Sequence, residues 1–259
     1  MSSSSVSWQQ NPLTPRLLLR LHVLTDHQWS RGRDIVTVAA AALDGGATVI
    51  QLRNKTACTR VLIEEGQALR VLTRERGALL IINDRIDVAL AVEADGAHVG
   101  QEDMPATMAR QLLGPQRILG VSAATIEEAS AAVAAGADYL GVGPIFPSLG
   151  KADAGPATGL HLLTELAARY PTPLVAIGGI TAENATEVMR AGAAGVAVIT
   201  AVVYAEDIAG AAHQLCQAMI KGASDHDLGI SLTQRGALRR QENGHMVQFH
   251  ATDEPISPF

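Results

Sequence analysis

One phrase recurs through this chain and restricts its fold more than any other feature. Small residues ending in Gly-Ala are followed at once by a short apolar run. The phrase stands as GGATVIQLR from Gly45, DGAHVG from Asp95, AGADYLGVG from Ala135 and AGAAGVAVIT from Ala191. In each copy a glycine able to take positive φ is expected to close a helix, and the apolar run to form a short buried strand. The Gly-Ala pairs begin at 46, 96, 136 and 192, spacings of 50, 40 and 56 residues. Those spacings are too long for one βα unit and suit two. Further strands are expected between the copies, at Leu18–Leu24, Leu79–Asn83, Arg117–Ser122 and Leu174–Ile177. Helices are expected at Asp34–Leu43, Cys58–Arg76, Arg85–Val92, Pro105–Leu113, Thr125–Ala135, Gly159–Arg169, Ala182–Arg190 and Asp207–Lys221.

Eight strands alternating with helices imply a parallel sheet closed on itself, a single (βα)₈ TIM barrel of the α/β class. The alternative is an open doubly wound sheet, but LHVLTDHQ stands after the first strand where a GxGxxG-type loop would be wanted. The barrel is expected to span residues 17–221. A Ser-rich N-terminal leader, 1–16, has neither a basic region nor an apolar core of the signal-peptide kind. A tail, 222–259, has scattered charge and no apolar period. Both are expected to be disordered. His226, His245 and His250 fall in the tail without ligand spacing.

Composition narrows the function. Aromatics make up only 3% of a chain that is 47% hydrophobic, so the core is expected to be built from Ala, Val, Leu and Ile. A net charge of −6 leaves no excess of Lys and Arg to neutralise a nucleic-acid backbone. No apolar run is long enough to cross a bilayer. Cys58 and Cys216 have no metal-ligand spacing and are expected to be two buried thiols of a cytoplasmic protein, with one disulfide between them as the alternative.

Catalytic groups of a barrel sit at the C-terminal ends of its strands. After the second strand stands Gln51-Leu52-Arg53-Asn54-Lys55, where alternation puts Gln51, Arg53 and Lys55 on one side. A guanidinium fork and a mobile ammonium suit phosphate oxygens, and such groups are costly to desolvate without partners. Asn83-Asp84-Arg85 follows the third strand, and Gly100-Gln101-Glu102-Asp103 the fourth. Asp84 and Asp103 could share one Mg²⁺, completed by substrate phosphates and water, or each could cap the helix that follows it. Ser122 ends the fifth strand and could cap a helix or bind an oxygen. The sixth runs into a long Gly/Pro-rich loop carrying Ser148, Leu149, Gly150 and Lys151, and such loops tend to bind or cover ligands. Gly178 and Gly179 after the seventh strand, with Ile199 and Thr200 after the eighth, occupy the usual phosphate-binding end of this fold. His98, inside a strand, reads as a satisfied core histidine.

In this order LHVLTD, QLRNK, INDRIDVALAVEADGAHVGQED, GVSAATIEEA, GADYLGVGPIFPS, VAIGGI and VAVITAV resemble thiamine phosphate synthases, over residues 18 to about 220. The resemblance implies a transferase. It would couple 4-amino-2-methylpyrimidin-5-ylmethyl diphosphate to a thiazole phosphate, releasing diphosphate. It implies that Gln51, Leu52, Arg53, Asn54, Lys55, Asn83, Ser122 and Lys151 hold the pyrimidine diphosphate. Within that set Arg53, Lys55, Ser122 and Lys151 would take the catalytic part, and Asp84 and Asp103 would bind Mg²⁺. Ser148, Leu149, Gly150, Gly179, Ile199 and Thr200 would surround the thiazole phosphate, with Gly178 nearby. The expected partners are small phosphorylated molecules, neither nucleic acid nor membrane, and a homo-oligomer is compatible with such a chain.

The chain departs from the family's P-T-x-T-K loop, reading Pro147-Ser148-Leu149-Gly150-Lys151. The hydroxyl missing at Gly150 would cost roughly 1–2 kcal/mol of thiazole-phosphate binding. Asn54 stands where an acidic residue is common, and Thr200 where Ser is common. A related thiazole tautomerase carries a His two residues after the strand-five Ser, where this chain has Ala124. A ligand-binding barrel without turnover is a further alternative. So is a Schiff-base aldolase using Lys55 or Lys151, which would leave the two aspartates without a role.

Overall fold

In a computed structural model of the chain, the described residues are 19–147 and 156–223. They form a closed barrel of eight parallel strands in sequential order. The strands are β1 (Leu21–Leu24), β2 (Val49–Leu52), β3 (Leu79–Asn83), β4 (Gly96–Val99), β5 (Ile118–Ala123), β6 (Tyr139–Val142), β7 (Leu174–Ile177) and β8 (Gly195–Val198). Around them run α1 (Ile35–Asp44), α2 (Thr59–Glu75), α3 (Ile86–Ala91), α4 (Ala106–Leu113), α5 (Ile126–Ala134), α6 (Gly159–Arg169), α7 (Ala185–Arg190), α8 (Thr200–Val203) and α9 (Ile208–Gly222). The expected leader and nearly all of the expected tail lie outside the described residues, as do Ser148, Leu149, Gly150 and Lys151.

Period-2 alternation sorts each strand into two layers. Leu24, Val49, Ile81, Ile118, Tyr139, Val175, Ala197 and Ile199 fill the barrel interior. Leu21, Val23, Ile50, Leu52, Leu80, Ile82, Val121, Leu140, Val196 and Val198 pack outward against the helices. Asp34, Thr125 and Asp207 cap α1, α5 and α9 by accepting the N–H three residues on, as expected of side chains that compete with the helix backbone.

The sequence reading needs correction at five places. Cys58, expected to be a buried thiol, is exposed, because it stands at the N-cap of α2 on the outer layer. Gly46, Gly136 and Gly192 do take positive φ after their helices, at 102°, 85° and 104°. In the remaining copy Glu93 takes that role at φ 52°, and Gly96 instead opens β4. A Cβ on Gly96 would stand 2.1 Å from the Ile118 carbonyl oxygen, so this glycine answers to strand contact rather than to a turn. The helix expected from Ala182 begins at Ala185, because the Asn184 side chain accepts from Thr181 N (2.9 Å) and donates to Gly179 O (3.0 Å), holding a turn there. The strand expected at Arg117–Ser122 is shifted to Ile118–Ala123. A short helix, α8, follows β8 directly, where no separate element was expected.

The N-terminal ends of two strands are tied by one repeated device. Asp95 Oδ2 accepts from Leu80 N at 2.8 Å and pairs with Arg70 at 2.6 Å. Asp138 Oδ2 accepts from Leu119 N at 2.8 Å and pairs with Arg110. Each carboxylate joins a strand N–H to a helix guanidinium, and neither pair is solvent-exposed enough to be cheaply lost. Asp138→Ala leaves a partly buried guanidinium and a buried N–H without their carboxylate. It should lower unfolding free energy by about 2–4 kcal/mol, measured by urea denaturation. A change within experimental error would show that water replaces the carboxylate without loss.

Candidate active site

A cleft of about 930 Å³ opens at the C-terminal end of the barrel. That volume suits two small substrates bound together. One wall carries Lys55, Asn83, Asp84, Gly100, Gln101, Glu102 and Asp103 from the loops after β2, β3 and β4. The opposite wall carries Ile177, Gly178, Gly179, Ile180 and Thr181 after β7, with Ile199, Thr200 and Ala201 after β8. Ser122 and His98 line it as well, where β4 and β5 rise into it.

The acidic wall is held by backbone geometry. Asp84 has φ 65°, rare for a residue with a side chain, and its N–H donates to His98 O at 2.7 Å. Strain of that kind is found where the surrounding structure over-determines a position. Asp103 Oδ2 accepts from Gly100 N at 2.8 Å, which folds the loop back on itself. Neither aspartate caps a helix: α3 and α4 follow Arg85 and Pro105, without a side-chain cap. Lys55 Nζ lies 3.8 Å from Asp84 Oδ2.

The QLRNK segment divides. Gln51 is buried and lines a second, water-sized chamber of about 20 Å³ beneath the cleft, together with His22, His98, Ser122 and Tyr139. Arg53 is buried beside the cleft, not on its lining, and pairs with Asp26 at 2.6 Å. Leu52 points outward into the helix layer, as alternation requires, so only its backbone is left to face a ligand. The Asn54 amide donates to the Glu65 carboxylate at 3.3–3.4 Å, also off the cleft lining. Of the residues expected on the pyrimidine side, the structure brings together Lys55, Asn83 and Ser122 on the cleft, with Gln51 in the chamber beneath. Of those expected near the thiazole phosphate, it brings Gly178, Gly179, Ile199 and Thr200 to the far wall.

Both glycines of that wall are dictated by contact. Gly178 and Gly179 have φ 98° and 63°, and a Cβ on them would stand 2.5 Å from Pro144 Cβ and 2.6 Å from Pro147 O respectively. The loop after β7 is thereby pressed on the loop after β6. Only glycine combines that approach with that φ.

Several residues in and around the cleft escaped the sequence reading. Thr158 and Thr181 line the cleft but stand among unremarkable neighbours in sequence. Asp26, the partner of Arg53, had a signal in its place at the end of β1, in LHVLTD. His98 is satisfied, as expected, yet it also reaches the cleft. His22 is fully buried inside the barrel, and desolvation pushes its pKa down to about 3, outweighing the opposing pull of the Leu19 backbone. It is therefore a neutral imidazole at physiological pH.

Comparison with known proteins agrees with this geometry. A family model described as thiamine monophosphate synthase matches residues 21–202. A thiamine-phosphate synthase of Chloroflexus aurantiacus is 56% identical over 196 residues, covering 76% of this chain and 90% of that relative. Another, of Moorella thermoacetica, is 53% identical over 195 residues, covering 75% and 93%. The solved thiamine phosphate pyrophosphorylase of Pyrococcus furiosus superposes with a TM-score of 0.75 at 44% identity, covering 81% of this chain and 99% of that one. A closed eight-stranded barrel, an acidic and a glycine-rich wall facing one cleft, and this degree of identity lead to one conclusion: the chain belongs to the thiamine-phosphate synthase family.

Proposed function

We propose that the cleft couples a pyrimidinylmethyl diphosphate to a thiazole phosphate by a dissociative displacement that releases diphosphate. The observation that carries the reading is the pairing of walls. A carboxylate-and-lysine wall suits a metal-bound diphosphate, and a glycine-rich wall of backbone suits a second phosphate. Asp84 and Asp103 would hold Mg²⁺. The fit rests on the donor set: both carboxylates line the cleft and neither is used as a helix cap. No cluster of three or more His, Cys, Asp or Glu able to hold a metal occurs among the described residues. One or two carboxylates together with substrate phosphates and water would be a donor set of the kind that commonly holds Mg²⁺. When bound, the ion would supply charge neutralisation to the leaving diphosphate.

This chain's own residues would do the rest. Lys55 and Lys151 would meet diphosphate oxygens as the bond to the pyrimidine methylene breaks, and Arg53 would brace that side through its pairing with Asp26. Asn83 and Ser122 would orient the pyrimidine. Gly178, Gly179, Ile199 and Thr200 would hold the thiazole phosphate, with Ser148 and Gly150 from the β6 loop. The thiazole nitrogen attacks the methylene, so the protein supplies no nucleophile. Its task is positioning and charge stabilisation. No helix among the described residues is long and apolar enough to cross a membrane.

The direct test is to mix both substrates, Mg²⁺ and the protein, and follow thiamine phosphate and diphosphate by chromatography. Absence of both products at saturating substrate would overturn the reading. Within it, the β6 loop divides the substrates. Lys151→Ala should mainly lower turnover, because the charge it meets grows during bond cleavage. Ser148→Ala should mainly raise KM for the thiazole phosphate, whose charge does not change. Gly150→Thr should lower that same KM by several-fold at most, the effect of about one neutral hydrogen bond. An unchanged thiazole KM in a folded Gly150→Thr protein would place this loop elsewhere.

A further inference from the structure

Behind Ser122, beneath the cleft, lie two buried polar side chains that the reaction as derived does not use. The Tyr139 hydroxyl is 3.0 Å from His98 Nδ1, and His98 Nε2 is 2.9 Å from Ser122 Oγ. Tyr139 is 1% exposed and His98 8%, while Ser122 lines both the cleft and the chamber below it. The three residues stand on β6, β4 and β5, so their contacts cross the barrel interior rather than following one strand.

Two glycines clear the space for it. Gly120 lies opposite His98 in the β4–β5 register and opposite Tyr139 in the β5–β6 register. A Cβ on Gly120 would stand 2.1 Å from Tyr139 Cζ and 2.5 Å from His98 Nδ1. A Cβ on Gly141 would stand 2.8 Å from His98 Cε1. Neither glycine is in a positive-φ turn. Both are explained by the rings they admit, which are thereby wedged in one orientation.

The direction of the hydrogen bonds follows from what each group can offer. Burial holds the Tyr139 phenol far above its ordinary pKa, so it stays a neutral hydroxyl. Its oxygen has one described hydrogen-bond partner, His98, and a buried O–H without an acceptor is costly. It therefore donates to Nδ1. With Nδ1 accepting, a neutral imidazole carries its proton on Nε2 and donates to Ser122 Oγ. The serine oxygen accepts from below, which leaves its own hydrogen available to the cleft.

We propose that His98, with its tautomer set by Tyr139, is a positioning residue that holds Ser122 as a hydrogen-bond donor to the pyrimidine diphosphate. This rests on the placement of Ser122 on the pyrimidine side. With one lone pair engaged by His98, such a serine is biased toward donating, so it favours an acceptor atom of the substrate over a donor.

The test is a double-mutant cycle with steady-state kinetics, each substrate varied in turn, and melting temperatures alongside. His98→Leu should lower kcat/KM for the pyrimidine diphosphate roughly tenfold, about as much as Ser122→Ala, leaving the thiazole KM within about twofold. In the Ser122→Ala background His98→Leu should have no further effect, because its action passes through a hydroxyl already removed. His98→Gln, whose amide N–H can stand for Nε2–H, should recover most of the loss. Tyr139→Phe keeps the ring packed but frees the tautomer, and should lose several-fold in the wild-type background alone. If His98→Leu does not fold, Tyr139→Phe completes the cycle in its place. Equal losses with and without the Ser122 hydroxyl, or equal shifts in both substrates' KM, would reduce His98 to general packing and overturn the proposal. A Ser122→Ala protein that raises only the thiazole KM would overturn it by a different route, through the placement of Ser122.

Discussion

Replacing Asp84 or Asp103 with alanine should lower turnover by more than about tenfold each, the scale expected when charge stabilisation of a leaving group is lost. Chelation by EDTA should abolish activity, and added Mg²⁺ should restore it. The two side chains line one cleft from neighbouring strand ends, so their losses should fall short of additive if they hold one ion. Stability should respond differently at the two positions. Asp84 is held at φ 65°, and Asn tolerates that region better than Ala. Asp84→Asn should therefore keep its melting temperature while still losing activity. Turnover unchanged in EDTA, or full activity in either alanine variant, would remove the ion from the mechanism.

The largest structural effect is expected at the seam where the barrel closes. Gly195 opens β8 against the start of β1, and a Cβ there would stand 1.9 Å from Leu19 O and 2.4 Å from Arg20 O. Arg20 O is already engaged, accepting from Val196 N at 2.7 Å. Backbone cannot retreat as a side chain can, so Gly195→Ala must part the β1–β8 ladder or distort it. The expected loss is at least about 3 kcal/mol, at or beyond the upper end of ordinary overpacking, read as a collapse of the urea midpoint. Gly66→Ala gives the contrast. Its added methyl meets only the Val92 side chain, at 3.0 Å, and the gain in helix propensity of about 1 kcal/mol offsets part of that crowding. A Gly195→Ala protein as stable as Gly66→Ala would mean that the seam relaxes freely.

Much of this architecture was legible along the chain, and the reason is local. Strand and helix periods are written in residues a few positions apart, so the recurrent Gly-Ala phrase and its spacing sufficed for eight βα units, and a parallel eightfold alternation closes into a barrel. Alternation also put Gln51 and Arg53 on the inner side and the aspartates at strand ends. The seven matching segments, read in order, identified the family because their order follows strand order.

What lay beyond the sequence was which side chains meet, because closure joins residues that no local period relates. Arg53 finds Asp26 at 2.6 Å across β1 and β2. Neither residue alone announces that a cation so near the cleft is held by a carboxylate. Gly96 reads as the turn glycine of its phrase, yet the Ile118 carbonyl, not a turn, forbids it a side chain. His98 reads as a satisfied core histidine, and it is one. Only the registers of β4, β5 and β6, which bring Gly120 beside both His98 and Tyr139, turn that core residue toward Ser122. Local propensity sets where elements begin and end to within a few residues. Partnership across the barrel is set by register and by the volume that one strand's glycine leaves for another strand's ring.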